Sequence, residues 1–287
     1  MALVQSFEKQ GSFLFKYRGQ FPVFLFILSV PFIYLTDYTL FNQKEYSFFM
    51  LTAISISVLG FFVRFYTIGT TPKGTSGRNT KEQVADVLNS SGMYSMVRHP
   101  LYLGNYLIWL GISLASFNIY FAIIMSLLFW IYYERIMFAE ERFLERKFGA
   151  YYLNWASKLP AFLPSILNFK KSDTKFSVIT VLRREYASVL AAVVGFSFIE
   201  VLRTYFTSNN WSVSDCTLEI LGGTIILVLI LRSLKHYTNL LEEKEDEVDE
   251  IRMYLTSAYN DEHEYGVKNA MANDIIDKIT DYFEEGN

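Results

Sequence analysis

Apolar residues along this chain gather in six blocks, separated by polar, charged or Gly- and Ser-rich stretches. The blocks run Phe21 to Thr36, Tyr46 to Tyr66, Leu101 to Phe117, Tyr120 to Tyr133, Tyr186 to Leu202 and Leu218 to Leu231. Each approaches the ~20 apolar residues that carry a helix across a bilayer. The pattern predicts an all-α, multi-pass integral membrane protein with about six transmembrane helices. The third and fourth blocks form a helical hairpin around Asn118. Several blocks are short, so some helices tilt little, thin the bilayer or enter it only partway. A soluble bundle of six buried helices is the alternative, and the length and apolarity of the blocks weigh against it. Lys9, Lys16 and Arg18 precede the first block, but no small-residue cleavage pattern follows it. The first block therefore reads as a membrane helix rather than a removed signal.

Charge then orients the blocks. With the N-terminus inside and one crossing per block, 24 of the 26 Lys and Arg residues fall on the inner side. Only Lys44 and Arg203 fall outside. This is the bias of cytoplasmic segments toward Lys and Arg, and it predicts an N-in, C-in topology. Glu200 and Arg203, near the outer end of the fifth block, read as an interfacial ion pair.

Composition supports the same class: 52% of the 287 residues are hydrophobic and 17% aromatic. Cys216 is the only cysteine, so no intramolecular disulfide can form. With one Cys and three His, a Cys/His zinc site is not expected, and no metal is assigned. No nucleic-acid partner is expected. Three regions differ in character: 1–170 with four helices and two basic inner segments, 171–236 with two further helices, and 237–287. The last region has 15 acidic and 4 basic residues, a net charge of −11 against +8 for the remainder. Its run from Glu242 to Glu250 is too charged to bury but favours helix. Met271, Ile275, Ile279 and Tyr282 line one face of a second helix. The plain reading is a solvated helix followed by a small docking helix. The sharper one is contact with a protein partner or with the basic inner face.

Two inner segments could carry chemistry. Arg98-His99-Pro100-Leu101-Tyr102, with Tyr94 before it and Gly104 after it, sets polar groups directly ahead of an apolar helix. Polar groups at such a boundary are costly and need a reason. Pro100 can open the helix, because a first-turn proline loses no helix bond. Arg98 and His99 then stand at a helix N-terminus, which favours a carboxylate or phosphate. The structural alternative is that Arg98 only snorkels to lipid phosphate and His99 only caps the helix. Upstream, Gly69 to Thr80 is a loop whose glycines allow close backbone approach to a ligand. The second segment, Glu134 to Trp155, places Glu141 and Glu145 four apart, and likewise Arg142 and Arg146. Alone it reads as a solvated charged helix ended by Gly149. Both segments lie on the inner face, however, so carboxylates of one can meet cations of the other. A zwitterionic cofactor suits such a place.

The string Arg98-His99-Pro100-Leu101-Tyr102 with Gly104, followed one hairpin later by Glu140-Glu141 and Phe148-Gly149-x-x-Tyr152, resembles the isoprenylcysteine carboxyl methyltransferases. Phospholipid N-methyltransferases and bacterial relatives share the broader pattern. The resemblance covers about Gly77 to Pro164. It implies a membrane enzyme that uses S-adenosylmethionine at the cytosolic face, with the downstream segment folded over the cofactor. The substrate would be a lipid or lipidated acceptor delivered from the membrane. Position by position, it implies cofactor contacts at Leu88, Tyr94, His99, Pro100, Leu101, Tyr102 and Glu140, with Glu141 as a neighbour and Arg78 upstream. Arg98 would structure the site and Arg135 would guide an anionic acceptor. The isoprenylcysteine enzymes have Arg four residues before the glutamate matching Glu140, where this chain has Ile136. They also have Arg where this chain has Lys158. Carboxylate or phosphate O-methylation is favoured. Phospholipid amine N-methylation, a nicotinamide-dependent sterol-reductase-like enzyme and a non-enzymatic scaffold are the alternatives.

Overall fold

The computed structural model describes residues 3–71, 85, 87–172 and 174–241. Among them are seven α-helices: α1 (Leu3–Lys16), α2 (Phe21–Tyr34), α3 (Gln43–Gly69), α4 (Pro100–Leu114), α5 (Ile119–Ala156), α6 (Val178–Ser208) and α7 (Asp215–Tyr237). The described residues contain no strand, only one isolated antiparallel bridge between Gly92 and Lys170. The chain is all-α, and the six apolar blocks are the cores of α2 to α7. Arg78 and both segments singled out in the acidic tail, Glu242 to Glu250 and Met271 to Tyr282, lie outside the described residues.

The expectation of about six membrane helices, several of them short, is met in part. Helices α3, α5, α6 and α7 are long and apolar enough to cross a membrane. Helices α2 and α4 have 14 and 15 residues. At 1.5 Å per residue, α4 reaches about 22 Å against a hydrocarbon core of about 30 Å. The ends of α4 explain the shortfall. Pro100 fixes its start, and the chain turns after Leu114 through Phe117, which has φ +60°. Asn118 then caps α5, its side chain accepting from Phe121 N at 3.1 Å. The expected hairpin is thus present.

Local chemistry fixes the other helix starts. Asn42 accepts from the backbone of Lys44 and Glu45 at 3.0 Å, while Glu45 accepts from Asn42 N at 3.0 Å. This reciprocal capping box opens α3. Ser177 and Ser214 cap α6 and α7 through the amides of Thr180 and Thr217. Helix α5 differs from expectation by running far past its apolar block. Gly149, at φ +52° and ψ −129°, joins two helical stretches at a kink rather than ending the element. A residue with a Cβ is strained there.

Helices α3 and α4 make the closest seam. A Cβ on Gly60 would stand 2.7 Å from Gly104 O, and one on Gly111 would stand 2.3 Å from Ala53 O. Across the seam Ser57 Oγ donates to Ile108 O at 2.9 Å. Small residues that let backbones touch are how helices associate in lipid, where burial of apolar surface offers no drive. Helix α1, which the blocks did not predict, lies along the charged half of α5. There Tyr132 Oη donates to Leu14 O at 3.0 Å and Phe7 meets Phe138 edge to face. Helix α6 packs on α2, α3 and α4 and pairs with α7. Only Val228 and Leu231 of α7 are buried, while Ile226 is 61% exposed. Such an apolar surface needs lipid or a partner to cover it.

The bundle has two unlike ends. At one, Arg64 of α3 pairs with Glu185 of α6. At the other, the Arg203 guanidinium lies 4.8 Å from the Tyr46 ring, and Glu200 accepts from Ser214 N at 3.0 Å. Thus α3 and α6 run antiparallel.

Candidate functional site

The site is assembled where α4 begins. Pro100 occupies the first turn, and His99 is the N-cap residue without making a side-chain cap bond. Its ring is therefore available for other partners. The main chain here is tied to the stretch that follows α5. Arg98 N donates to Pro160 O at 3.0 Å, His99 N to Ala161 O at 3.2 Å and Ser165 N to Met96 O at 2.9 Å. Further along, Lys170 N donates to Ser95 Oγ at 2.8 Å and Gly92 N to Lys170 O at 2.9 Å. Gly92 has φ +59°, a turn conformation that favours glycine. Residues 157–172 therefore form a strap across residues 92–99, bonded mostly through backbone groups.

Under the strap, charges from α4 and α5 interlock. His99 Nε2 stands 2.9 Å from Glu141 Oε1, and Nδ1 stands 3.4 Å from Glu140 Oε2. Arg98 Nε reaches the same Glu141 oxygen at 3.1 Å, and Arg98 Nη1 donates to Ala156 O at 3.2 Å. Burial pulls the His99 imidazole toward neutrality, but hydrogen bonds and charge from Glu140 and Glu141 outweigh it and raise its pKa above the ordinary 6.5. Burial pushes Glu141 the other way, yet His99 and Arg98 hold its carboxyl below the ordinary 4.5. The two carboxylates thus favour the charged form of His99, which lies between them.

Aromatic side chains surround the cluster. The Tyr102 ring stacks on His99 at 5.6 Å and meets Tyr133 at 4.9 Å. Leu88 packs with Phe148, Tyr152 and Ala156, and Trp155 lies against that group. The Tyr152 hydroxyl faces Glu141, and burial pushes its pKa well up. Trp155 Nε1 is buried with no hydrogen-bond partner among the described residues. A buried N–H left unpaired is costly and marks a place for an acceptor from elsewhere.

The structure brings Arg98, His99, Pro100, Tyr102, Glu140 and Glu141 together, with Leu88 packed beside them. Leu101, in the first turn of α4, offers its carbonyl to Arg64 Nη1 at 3.5 Å. Tyr94 sits half-buried in the one-turn helix Met93–Ser95. Arg135 does not join the cluster. Its guanidinium lies 3.4 Å from the centre of the Phe7 ring on α1 and pairs with Glu134 at 3.2 Å. At 3.6 residues per turn, Arg135 is about 140° around the helix from Glu140. Ile136, fully buried, fills the core instead. Tyr133, Tyr152 and Trp155 were not expected as site residues. The kink at Gly149 breaks the helical repeat between Glu141 and both residues, so only the Phe148-Gly149-x-x-Tyr152 string pointed to Tyr152.

A cluster with both charge signs, aromatic faces and an unpaired N–H suits a zwitterionic ligand carrying an aromatic group. The chemistry of this donor set fits S-adenosylmethionine: cations for its carboxylate, carboxylates for its amino group, rings for its adenine.

Residues 48–151 match the family model for phospholipid methyltransferases. Among curated proteins, the chain is 33% identical over 99 residues to the nickel-cobalt-cadmium resistance protein NccN of Alcaligenes xylosoxydans xylosoxydans, covering 34% of this chain and 44% of that one. It is 27% identical over 124 residues to the protein-S-isoprenylcysteine O-methyltransferase of Schizosaccharomyces pombe, covering 41% and 52%. It is 35% identical over 81 residues to protein-S-isoprenylcysteine O-methyltransferase B of Arabidopsis thaliana, covering 28% and 40%. The chain spans about half the length of the curated relatives it matches. No solved structure matches it.

Proposed function

We propose that this chain, whose residues 48–151 belong to the superfamily of phospholipid and isoprenylcysteine methyltransferases, is a membrane enzyme that methylates an oxygen of a lipid or lipidated acceptor using S-adenosylmethionine. The observation that carries the reading is the interlocked set Arg98, His99, Glu140 and Glu141 beneath the strap. Two cations and two carboxylates at the mouth of a membrane helix match the two charged ends of an amino acid. When bound, S-adenosylmethionine would supply an electrophilic methyl group on a positively charged sulfur. Arg98 and His99 would hold the cofactor's carboxylate, Glu140 and Glu141 its amino group, and Tyr102, Tyr152 and Trp155 would line its ring. The strap would exclude water. Positioning and fixed charge, rather than proton transfer, are then the protein's contribution.

His99 also bears on the acceptor. Both of its ring nitrogens lie against carboxylates, at 2.9 and 3.4 Å, so neither is free to take a proton from an acceptor. An acceptor already ionised, a carboxylate or a phosphate, needs no base, whereas an ammonium would have to lose a proton first. This favours O-methylation over amine N-methylation. The distribution of Lys and Arg supports N-in, C-in topology with the site on the cytosolic face. Short helices α2 and α4 would cross a locally thinned bilayer.

Calorimetric titration of S-adenosylmethionine into detergent-purified protein tests the reading. Saturable binding should appear in the wild type and be lost in folded His99→Ala and Glu140→Ala. Absence of binding to well-folded wild type in lipid would overturn it. Transfer of labelled methyl to extracted lipid and prenylated peptide then sorts the acceptor. An ester label is released as methanol by mild base, and an N-methyl label is not.

A further inference from the structure

The most deeply buried ion pair among the described residues lies outside this cluster. Arg64 Nε and Nη2 donate to the two oxygens of Glu185 at 2.8 and 2.7 Å, with side chains 11% and 2% exposed. Glu185 belongs to α6, beyond the matched segment 48–151. A charge buried in a membrane bundle is expensive and marks function by default. Anchoring α6 to α3 would not need charge, because a well-packed apolar pair of similar size serves stability as well or better.

The guanidinium does more than pair. With one edge taken by Glu185, its remaining arm Nη1 donates to Asn105 Oδ1 and to Leu101 O. Gly104 makes the approach feasible, since a Cβ there would stand 2.5 Å from Arg64 Cγ. Leu101 and Asn105 bracket Tyr102 in the first turns of α4, so the guanidinium grips the stretch of helix that carries that ring. Tyr133 packs at 4.9 Å on Tyr102, and Tyr102 stacks on His99. A continuous set of directional contacts thus runs from α6 to the centre of the site. The planar fork of Arg is what makes it directional, because holding one edge aims the other.

We propose that Arg64 and Glu185 are positioning residues for the methyl-transfer site, and that α6 is thereby a working part of the catalytic unit rather than an added anchor. This rests on the function proposed above. Glu185 fixes the guanidinium plane, and the guanidinium fixes the Leu101 to Asn105 stretch of α4 that sets Tyr102 against Tyr133 and His99. Loss of the carboxylate releases the chain of contacts from its far end without touching any group at the site.

The decisive variant is Arg64→Met/Glu185→Leu, which replaces the pair by apolar side chains of similar volume. It should fold and melt like wild type and still bind S-adenosylmethionine, but its kcat should fall by about 100-fold, the size of effect that a small misplacement produces. Glu185→Asp, which keeps the carboxylate, should recover part of that loss. A folded double variant with wild-type kcat would overturn the proposal. If the double variant does not fold, Asn105→Ala decides, because it leaves the pair intact. A similar fall in kcat supports positioning, and wild-type kcat refutes it. A readout independent of turnover is the ring-carbon NMR signal of Tyr133 in tyrosine-labelled protein, assigned with Tyr133→Phe. It should shift in Glu185→Gln, and an unchanged signal would refute the proposal. Should wild type transfer no methyl group at all, the function fails, while the Tyr133 signal still tests the contact chain.

Discussion

Two charged clusters stand near the same end of this bundle, and they are built in opposite ways. In the Arg64–Glu185 pair, one carboxylate meets one guanidinium bidentately, and the side chains are 2% and 11% exposed. In the His99 cluster, one carboxylate oxygen is shared by two cations, one imidazole is shared by two carboxylates, and Glu140 and Glu141 remain 30% and 25% exposed. The first arrangement has a single best geometry and no solvent to replace a lost partner. The second has surplus partners and an open edge, so its members can exchange neighbours for a ligand's charges. Rigid pairing suits a fixed frame, and redundant pairing suits a binding surface.

The comparison breaks most visibly if one partner of the rigid pair is removed. Glu185→Ala leaves Arg64 buried and uncompensated, which should cost about 3–5 kcal/mol in denaturant unfolding of the detergent-solubilised protein. In the shared cluster, Glu140→Ala should leave the fold nearly as stable, since His99 retains Glu141. Its effect belongs in ligand affinity instead. His99→Ala or Glu140→Ala should weaken S-adenosylmethionine by about 1.5–3 kcal/mol, the worth of a charge-assisted hydrogen bond, read by calorimetry.

Acidity sharpens the contrast further. Only the His99 cluster contains a side chain that changes charge near neutrality. His99 has a raised pKa, so its contribution to stability is fully present below 6.5 and is lost as pH rises through the raised value. Glu141 has a lowered pKa, so its contribution is present above 4.5 and is lost as pH falls through the depressed value. Melting temperature should therefore decline as pH rises above 6.5 in wild type. That decline should vanish in His99→Asn and persist in the Arg64→Met/Glu185→Leu variant. The smallest effect is expected at the surface. Arg146 pairs with Glu8 at 2.6 Å across α5 and α1 with its side chain 54% exposed. Arg146→Ala should change stability by about 0.2–1 kcal/mol, and less in high salt.

Much of this was legible in the sequence. Apolar blocks gave α2 to α7, Pro100 marked the start of α4, and the order of the two motifs brought Arg98, His99, Glu140 and Glu141 together. Local signals were sufficient because each depends on neighbours in the chain. Helix α1 was read only as charges before a block, because its apolar residues Leu3, Val4, Phe7, Leu14 and Phe15 line a helical stripe rather than a continuous run. Arg135 was grouped with Glu140 by proximity in the chain, although helical geometry turns it toward α1. The partnership of Arg64 with Glu185 spans 121 positions, and nothing near either residue announces the other. Intramembrane charge was the available clue, since a charge in a helical bundle implies a partner.

The glycine seam between α3 and α4 has a consequence for traffic. With Gly60 backed on Gly104 and Gly111 on Ala53, the two backbones leave no gap wide enough for a hydrocarbon tail. That side of the bundle is a closed wall, and a lipid-borne acceptor seeking His99 from the bilayer has to come in around it.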